Sequence, residues 1–239
     1  MIYYSRYKSA NFLSKIQERM ICWQNSITVT PVDRLSRFRN NKPIQQTEMI
    51  HSMVSQFIPT SPMRNVSGPT QETELKTSEP YVVVHASGRW IKKSYTEKHF
   101  IDLIEAISES SRIIITTDGS SSTQFTALYK QFPSVSSEEL NDKSRQKQRV
   151  LIADQFTFDH WQEVIAAASG VITVECGCVH LAALFNKYTI NVYDIDNTPE
   201  MIYAEYKPWT DRCIPIICPR AEINPRILQA LSQITPLMV

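Results

Sequence analysis

From residue 81 onward, short β-branched runs alternate with stretches of helical spacing, and that alternation leaves few folds open. The runs are residues 81–85 (YVVVH), 112–117 (RIIITT), 150–153 (VLIA), 170–174 (GVITV) and 189–193 (TINVY). A run that is apolar at nearly every position suits a strand buried on both faces, which is how strands lie in a parallel sheet. Between the runs, residues 96–108 place Phe100, Leu103, Ile104 and Ile107 on one helical face. Residues 123–132, 158–168 and the stretch ECGCVHLAALF also read as helices, and 225–234 reads as a closing helix. Asp118 and Gly119 mark a turn, and the polar, charged residues 133–149 read as a loop. The expected fold class is α/β, a parallel Rossmann-like sheet with helices on both faces and right-handed crossovers. Sheets of this kind bind ligands at the carboxyl ends of their strands.

The front of the chain has a different texture. Residues 59–80 (PTSPMRNVSGPTQETELKTSEP) hold four prolines and read as a linker. Residues 1–58 read as a short, mostly helical segment with a break around Thr28–Pro31. Its helical spacing comes from Phe12, Ile16 and Met20, and again from Met49, Ile50, Met53, Val54 and Phe57. The organisation expected is therefore residues 1–58, a linker at 59–80, and a Rossmann-like domain at 81–239. A hydrophobic content of 42% is enough for a substantial core and excludes wholesale disorder.

A net charge of +1 argues against a nucleic-acid partner. Residues 1–50 nevertheless carry eight Lys/Arg against three acids. That excess reads either as a solvated basic surface or as a contact for anionic lipid or a polyanion. No apolar run reaches the about 18–20 residues that cross a bilayer. The opening MIYYSRYKSANF lacks the apolar stretch of a signal peptide. The five cysteines are odd in number and show no framework spacing, which suits a reducing compartment. The expected location is cytoplasmic.

Two strand-to-helix junctions carry unusual chemistry. The first runs His85-Ala86-Ser87-Gly88-Arg89-Trp90-Ile91-Lys92-Lys93-Ser94. Small residues at Ser87 and Gly88 let backbone N–H groups approach an anion, and Arg89 and the lysines add positive charge, a combination that suits a diphosphate. A plain connecting loop with solvated lysines is the alternative, and the Walker pattern is absent. The second runs Glu175-Cys176-Gly177-Cys178-Val179-His180 and opens directly into a helix. Gly177 permits a tight turn there, with N–H groups facing the strand end. His180 can bond a phosphate or a sugar hydroxyl and Glu175 can accept from hydroxyls. Alternatively His180 is a hydrogen-bonded core histidine and Glu175 a helix cap. The C-x-C-x-H spacing suggests zinc, but paired knuckles are missing, so no metal is expected. A Cys/His nucleophilic pair lacks the third group that would orient it.

Together these segments resemble glycosyltransferase family 9, the ADP-heptose:lipopolysaccharide heptosyltransferases. Lys93, Tyr95 and Phe100 fall on the family's K-x-W-P-x-E-x-F spacing, with Tyr95 and Thr96 where Trp-Pro is usual and Glu97 one position ahead of the family's glutamate. Where the family has D-[ST]-G-x-x-H-L-A-A-A-L, this chain reads Glu175-Cys176-Gly177-Cys178-Val179-His180-Leu181-Ala182-Ala183-Leu184, with Glu175 in place of the aspartate. The resemblance spans roughly residues 80–215 and implies the C-terminal, donor-binding half of a GT-B enzyme. Residues 1–58 then correspond to a shortened acceptor-side half.

Carried over position by position, Ser87, Gly88 and Lys93 would hold the diphosphate of an ADP-sugar, with Lys92 as the alternative in register. Cys176 and Gly177 would offer backbone N–H groups, His180 would sit beside them, and Glu175 would meet the donor sugar. The implied reaction is inverting transfer to a lipopolysaccharide core or related glycan, without a cofactor, at the cytoplasmic face of the inner membrane. The family's Gly-rich N-terminal loop and acceptor-side aspartate have no match in residues 1–58, so no catalytic residue is assigned. A truncated, inactive remnant or a nucleotide- or sugar-binding module is the alternative expectation.

Overall fold

The computed structural model describes residues 2–5, 28–31, 79–92, 94–118, 123–154, 156–194, 196 and 198–237. The chain divides into two compact units, Met1–Pro62 and Met63–Val239. In the first unit, β1 (Ile2–Ser5) and β2 (Thr28–Pro31) form a two-stranded parallel sheet, with Ile2 opposite Thr28 and Ser5 opposite Pro31. The break expected at Thr28–Pro31 is therefore a strand, formed by the β-branched Thr-Val-Thr that precedes the proline. The helical spacings at 12–20 and 49–57 lie outside the described residues.

In the second unit each β-branched run forms a strand. The chain passes through β3 (Tyr81–Ala86), α1 (Glu97–Ser108), β4 (Arg112–Thr117), α2 (Thr126–Gln131) and β5 (Ser134–Val135). It continues through α3 (Ser137–Leu140), α4 (Lys143–Gln146), β6 (Val150–Ala153), α5 (Phe158–Ala167) and β7 (Gly170–Val174). It closes with α6 (Gly177–Leu184), β8 (Tyr188–Val192), α7 (Pro199–Tyr206), β9 (Cys213–Ile216) and α8 (Ile223–Ile234). The seven strands order as β5-β6-β4-β3-β7-β8-β9, and every pairing is parallel.

The sheet is covered on both faces because successive residues point to opposite sides. On one face Val82, Val84, Ile113, Ile115, Ile152, Ile172 and Ile190 pack with Phe100, Leu103 and Ile107 of α1 and with Ile227, Leu231 and Ile234 of α8. On the other, Tyr81, Val83, Ile114, Leu151 and Val171 pack with Val164 and Ile165 of α5 and with Cys178 and Ala182 of α6. No helix among the described residues is long and apolar enough to cross a membrane.

Residues 133–149 are not the plain loop that their polarity suggests. Ser136 and Glu139 form a reciprocal capping box that starts α3, and the Asp142 carboxylate accepts the Ser144 N–H at the start of α4. Two further elements, α7 and β9, lie between the last β-branched run and the closing helix, where the sequence reading assigns no element. Pro199 sits in the first turn of α7, where its missing N–H costs nothing. Pro215 is tolerated in β9 because that strand is the sheet edge.

Candidate functional site

The strand order creates a crevice. From β3 the chain moves to β4 on one side, and β7 pairs with β3 on the other. The crossovers therefore diverge at the carboxyl ends of β3 and β7, the switch point where open parallel sheets take ligands. The two unusual junctions leave these two strands and lie side by side. Arg89, from the first, donates through Nη1 to the backbone carbonyl of Glu175 and pairs with its Oε2 at 2.5 Å. The pair is exposed, so it ties the two loops together more than it stabilises the fold.

The first loop is pinned from below. Its backbone turns through a single 3₁₀ turn at Gly88–Trp90, with the Trp90 N–H on the Ser87 carbonyl at 3.0 Å. The Trp90 indole is buried, packs on Phe100 at 5.3 Å between ring centres, and donates its N–H to the His85 carbonyl at 2.9 Å. Ser87 is buried, and its hydroxyl donates to Asp118 at 3.1 Å. A Cβ at Gly88 would come 2.5 Å from Oε1 of Gln124, the far end of an exposed, flexible side chain. Lys92 is committed elsewhere: its ammonium lies 3.4 Å from Asp194. Lys93 lies outside the described residues.

The second loop opens into α6 with Cys176 extended at the N-cap. No side chain caps this helix, and no acid lies in its first turn. The N–H groups of Cys178 and Val179 face the Cys176 sulfur, a weak and neutral acceptor, so no acid of the first turn neutralises the positive end of the dipole, where an anion is favoured. The tight turn expected at Gly177 is not what the glycine provides, since no described glycine has a positive φ. A Cβ at Gly177 would instead meet nothing within 4 Å, so the glycine opens space in front of the helix end. His180 is an exposed residue of the first helical turn rather than a core histidine. Partial burial of its ring lowers its pKa, with Glu175 acting in the opposite sense. Glu175 does not cap the helix, because its carboxylate is on Arg89.

Burial raises the pKa of both Cys176 and Cys178, and the Cys176 sulfur meets the Thr173 hydroxyl at 3.3 Å. Protonated thiols are poor nucleophiles and poor metal ligands. Among the described residues no cluster of three His, Cys, Asp or Glu can hold a metal ion.

Three charged residues at the site went unassigned from sequence. Asp118 follows β4 and meets Ser87, as above. Asp194 follows β8 and accepts from Arg220 at 2.9 Å as well as facing Lys92. Arg220 also reaches Asp196 at 2.5 Å and Ser94 at 2.9 Å. The available signal was position: Asp118 and Asp194 come within two residues of a strand's carboxyl end.

His85 lies beneath the crevice, 5% exposed, with Nδ1 2.9 Å from the Thr116 hydroxyl and its ring 5.6 Å from that of Trp161. Burial lowers its pKa from 6.5 to about 4, against a smaller opposing pull from Asp118. The folded form therefore refuses a proton that the unfolded chain accepts. Stability from this group is complete above pH 6.5 and falls as the pH drops toward 4, a loss of about 3 kcal/mol. Urea titrations across that window should show His85→Gln, which keeps a hydrogen-bonding group without titrating, with a flatter profile than the parent chain. Parallel profiles would mean that His85 is already charged in the folded state.

The family model described as Glycosyltransferase family 9 (heptosyltransferase) matches residues 56–223. Two solved structures share the fold. One is the E. coli heptosyltransferase WaaC with ADP, at a TM-score of 0.52 and 17% identity, aligned over 80% of this chain and 58% of that one. The other is the glycosyl transferase family 9 structure from Veillonella parvula, at a TM-score of 0.61 and 10% identity, aligned over 88% of this chain and 64% of that one. This chain thus spans less than two thirds of the length of either. No sequence among curated proteins matches it significantly.

Proposed function

The chain belongs to glycosyltransferase family 9, and from that premise we propose that residues 81–239 bind a nucleotide-sugar donor, an ADP-sugar with ADP-heptose first among them. The sugar would be transferred to a lipopolysaccharide core or related glycan. Residues 1–58 would be the acceptor-side part and 59–80 the linker. The observation that carries this reading is the adjacency of the two junctions at the sheet's switch point, tied by Arg89 and Glu175. One structure of similar fold holds ADP, which supports the nucleotide assignment.

In this reading the diphosphate lies across the Ser87–Gly88 loop and the N–H groups of Cys176 and Gly177, with Lys93 as its cation and His180 beside it. Lys92 is the poorer candidate because Asp194 already holds its ammonium. Glu175 accepts from hydroxyls of the donor sugar, and its partner Arg89 fixes where that carboxylate stands. As an acceptor oxygen bonds to the anomeric carbon, the bond from that carbon to the β-phosphate oxygen breaks and its electron pair leaves on ADP. The acceptor's proton passes to a base that the described residues do not identify. The helix-end N–H groups and Lys93 stabilise the charge that develops on the leaving diphosphate. Fixed positive groups can do this without a metal ion.

The test pairs two lysines. Lys93→Ala should weaken ADP binding at least tenfold by calorimetry, whereas Lys98→Ala, an exposed residue paired with Asp102 one helical turn away, should leave it unchanged. Equal effects would remove the phosphate role from Lys93. ADP binding with no ADP released from ADP-heptose in the presence of acceptor would make the chain a binding module.

A further inference from the structure

The opposite end of the sheet holds a second concavity, of about 310 Å³, which the donor reading does not use. It is built where the chain enters three neighbouring elements: Ser169 precedes β7, Lys187 precedes β8 and Tyr188 begins it, and Arg212 precedes β9. Its shape follows from the way α6 ends. Asn186 adopts a left-handed conformation (φ 56°), and the N–H groups of Asn186 and Lys187 close on the carbonyls of Ala183 and Ala182. That turn throws Lys187 into the cleft. Arg212 is held as well, donating to the Asn186 carbonyl at 3.1 Å with its guanidinium 4.9 Å from the centre of the Tyr188 ring.

The charges in this cleft are not balanced. Neither Asp nor Glu lines it. The half-buried Lys187 ammonium has no carboxylate or hydrogen-bond acceptor among the described residues, and burial alone lowers its pKa. A cation drawn partly out of water without a partner is costly, and a bound anion would remove that cost. Ser169 and Tyr188 belong to the same lining, and their hydroxyls, which have no hydrogen-bond partner among the described residues, can donate. Two cations, one of them a planar fork, with two hydroxyl donors match a doubly charged group with three oxygens better than a single carboxylate. At the rim Leu237 is 57% exposed, one of two large apolar side chains so exposed among the described residues.

We propose that this cleft is a binding site for a phosphomonoester, gripped by Lys187 and Arg212 with Ser169 and Tyr188 as hydroxyl donors. The phosphomonoester is carried either by a small soluble molecule or by a lipid headgroup, whose acyl part would meet Leu237. The site is independent of the donor crevice.

The test uses the whole chain and two probes. Inorganic phosphate is titrated while the backbone amides of Lys187, Tyr188 and Arg212 are followed by NMR. Separately, the chain is sedimented with phosphatidylcholine vesicles with and without phosphatidic acid. Saturable shifts at these amides with free phosphate identify a soluble ligand, and retention only by the phosphatidic-acid vesicles identifies a lipid headgroup. In either case Lys187→Met and Arg212→Gln should each weaken the interaction at least tenfold, and Gly177→Val should not. Arg212 is exposed, so its variant keeps the test valid if the lysine variant folds poorly. The absence of both shifts and retention overturns the proposal. So does binding that is the same in both variants as in the parent chain.

Discussion

Gly177→Val should leave the chain folded while lowering its affinity for ADP by at least a hundredfold. The two halves of that expectation have separate causes. Gly177 is the first residue of α6, its φ is not positive, and a Cβ there meets nothing within 4 Å. Valine is therefore accommodated, and its helix propensity is slightly better than that of glycine. The melting transition should move by no more than about 0.5 kcal/mol equivalent. The same open space is where a phosphate must come to reach the helix-end N–H groups, and a branched side chain fills it. Calorimetry with ADP together with thermal melts separates the two effects. Undiminished affinity in a folded variant would mean that no phosphate approaches this helix end. A folded state much weaker than the parent would mean that the glycine is needed for structure.

Phe100→Ala should be the most destabilising single change in the candidate site's foundation. Phe100 is fully buried in α1, with its ring 5.3 Å from that of Trp90 and 5.0 Å from that of Phe125. Removing it deletes buried area and leaves a cavity between three elements, at a cost of about 3–5 kcal/mol. That is a large part of the about 5–15 kcal/mol that holds a typical domain folded. The loss also reaches the crevice, because Trp90 is the anchor under the 3₁₀ turn that presents Ser87 and Arg89. Urea unfolding should show the drop, and ADP affinity measured under conditions where the variant is still folded should fall as well. A change below about 1 kcal/mol would mean that the neighbouring rings close over the gap.

The core strands were legible because nothing else explains a run such as Val82-Val83-Val84 or Ile113-Ile114-Ile115: only a strand covered on both faces buries every residue. What failed to show was short or contained proline. A two-residue strand such as β5 has no period to detect, and the Pro215 in β9 argues against a strand unless its place at the edge is known. The helices α3 and α4 are held by caps more than by an apolar face, so hydrophobic spacing could not reveal them.

At the site, residue types were readable and partners were not. Arg89 meets Glu175 86 positions away, and Asp194 captures Lys92 from across two loops. Such pairings depend on strand order, which no local pattern contains. Gly177 is the instructive residue: its sequence context points to backbone freedom, whereas in the structure its φ is not positive and open space lies where a Cβ would stand.

A diphosphate seated between the first loop and the start of α6 is open to direct observation by amide NMR of the whole chain with ADP. Saturable shifts are expected at the N–H groups of Ser87, Gly88, Cys176 and Gly177, with Lys187 and Tyr188 unmoved at the other end of the sheet. Shifts elsewhere with these four amides unchanged, or no saturable change up to millimolar ADP, would contradict it.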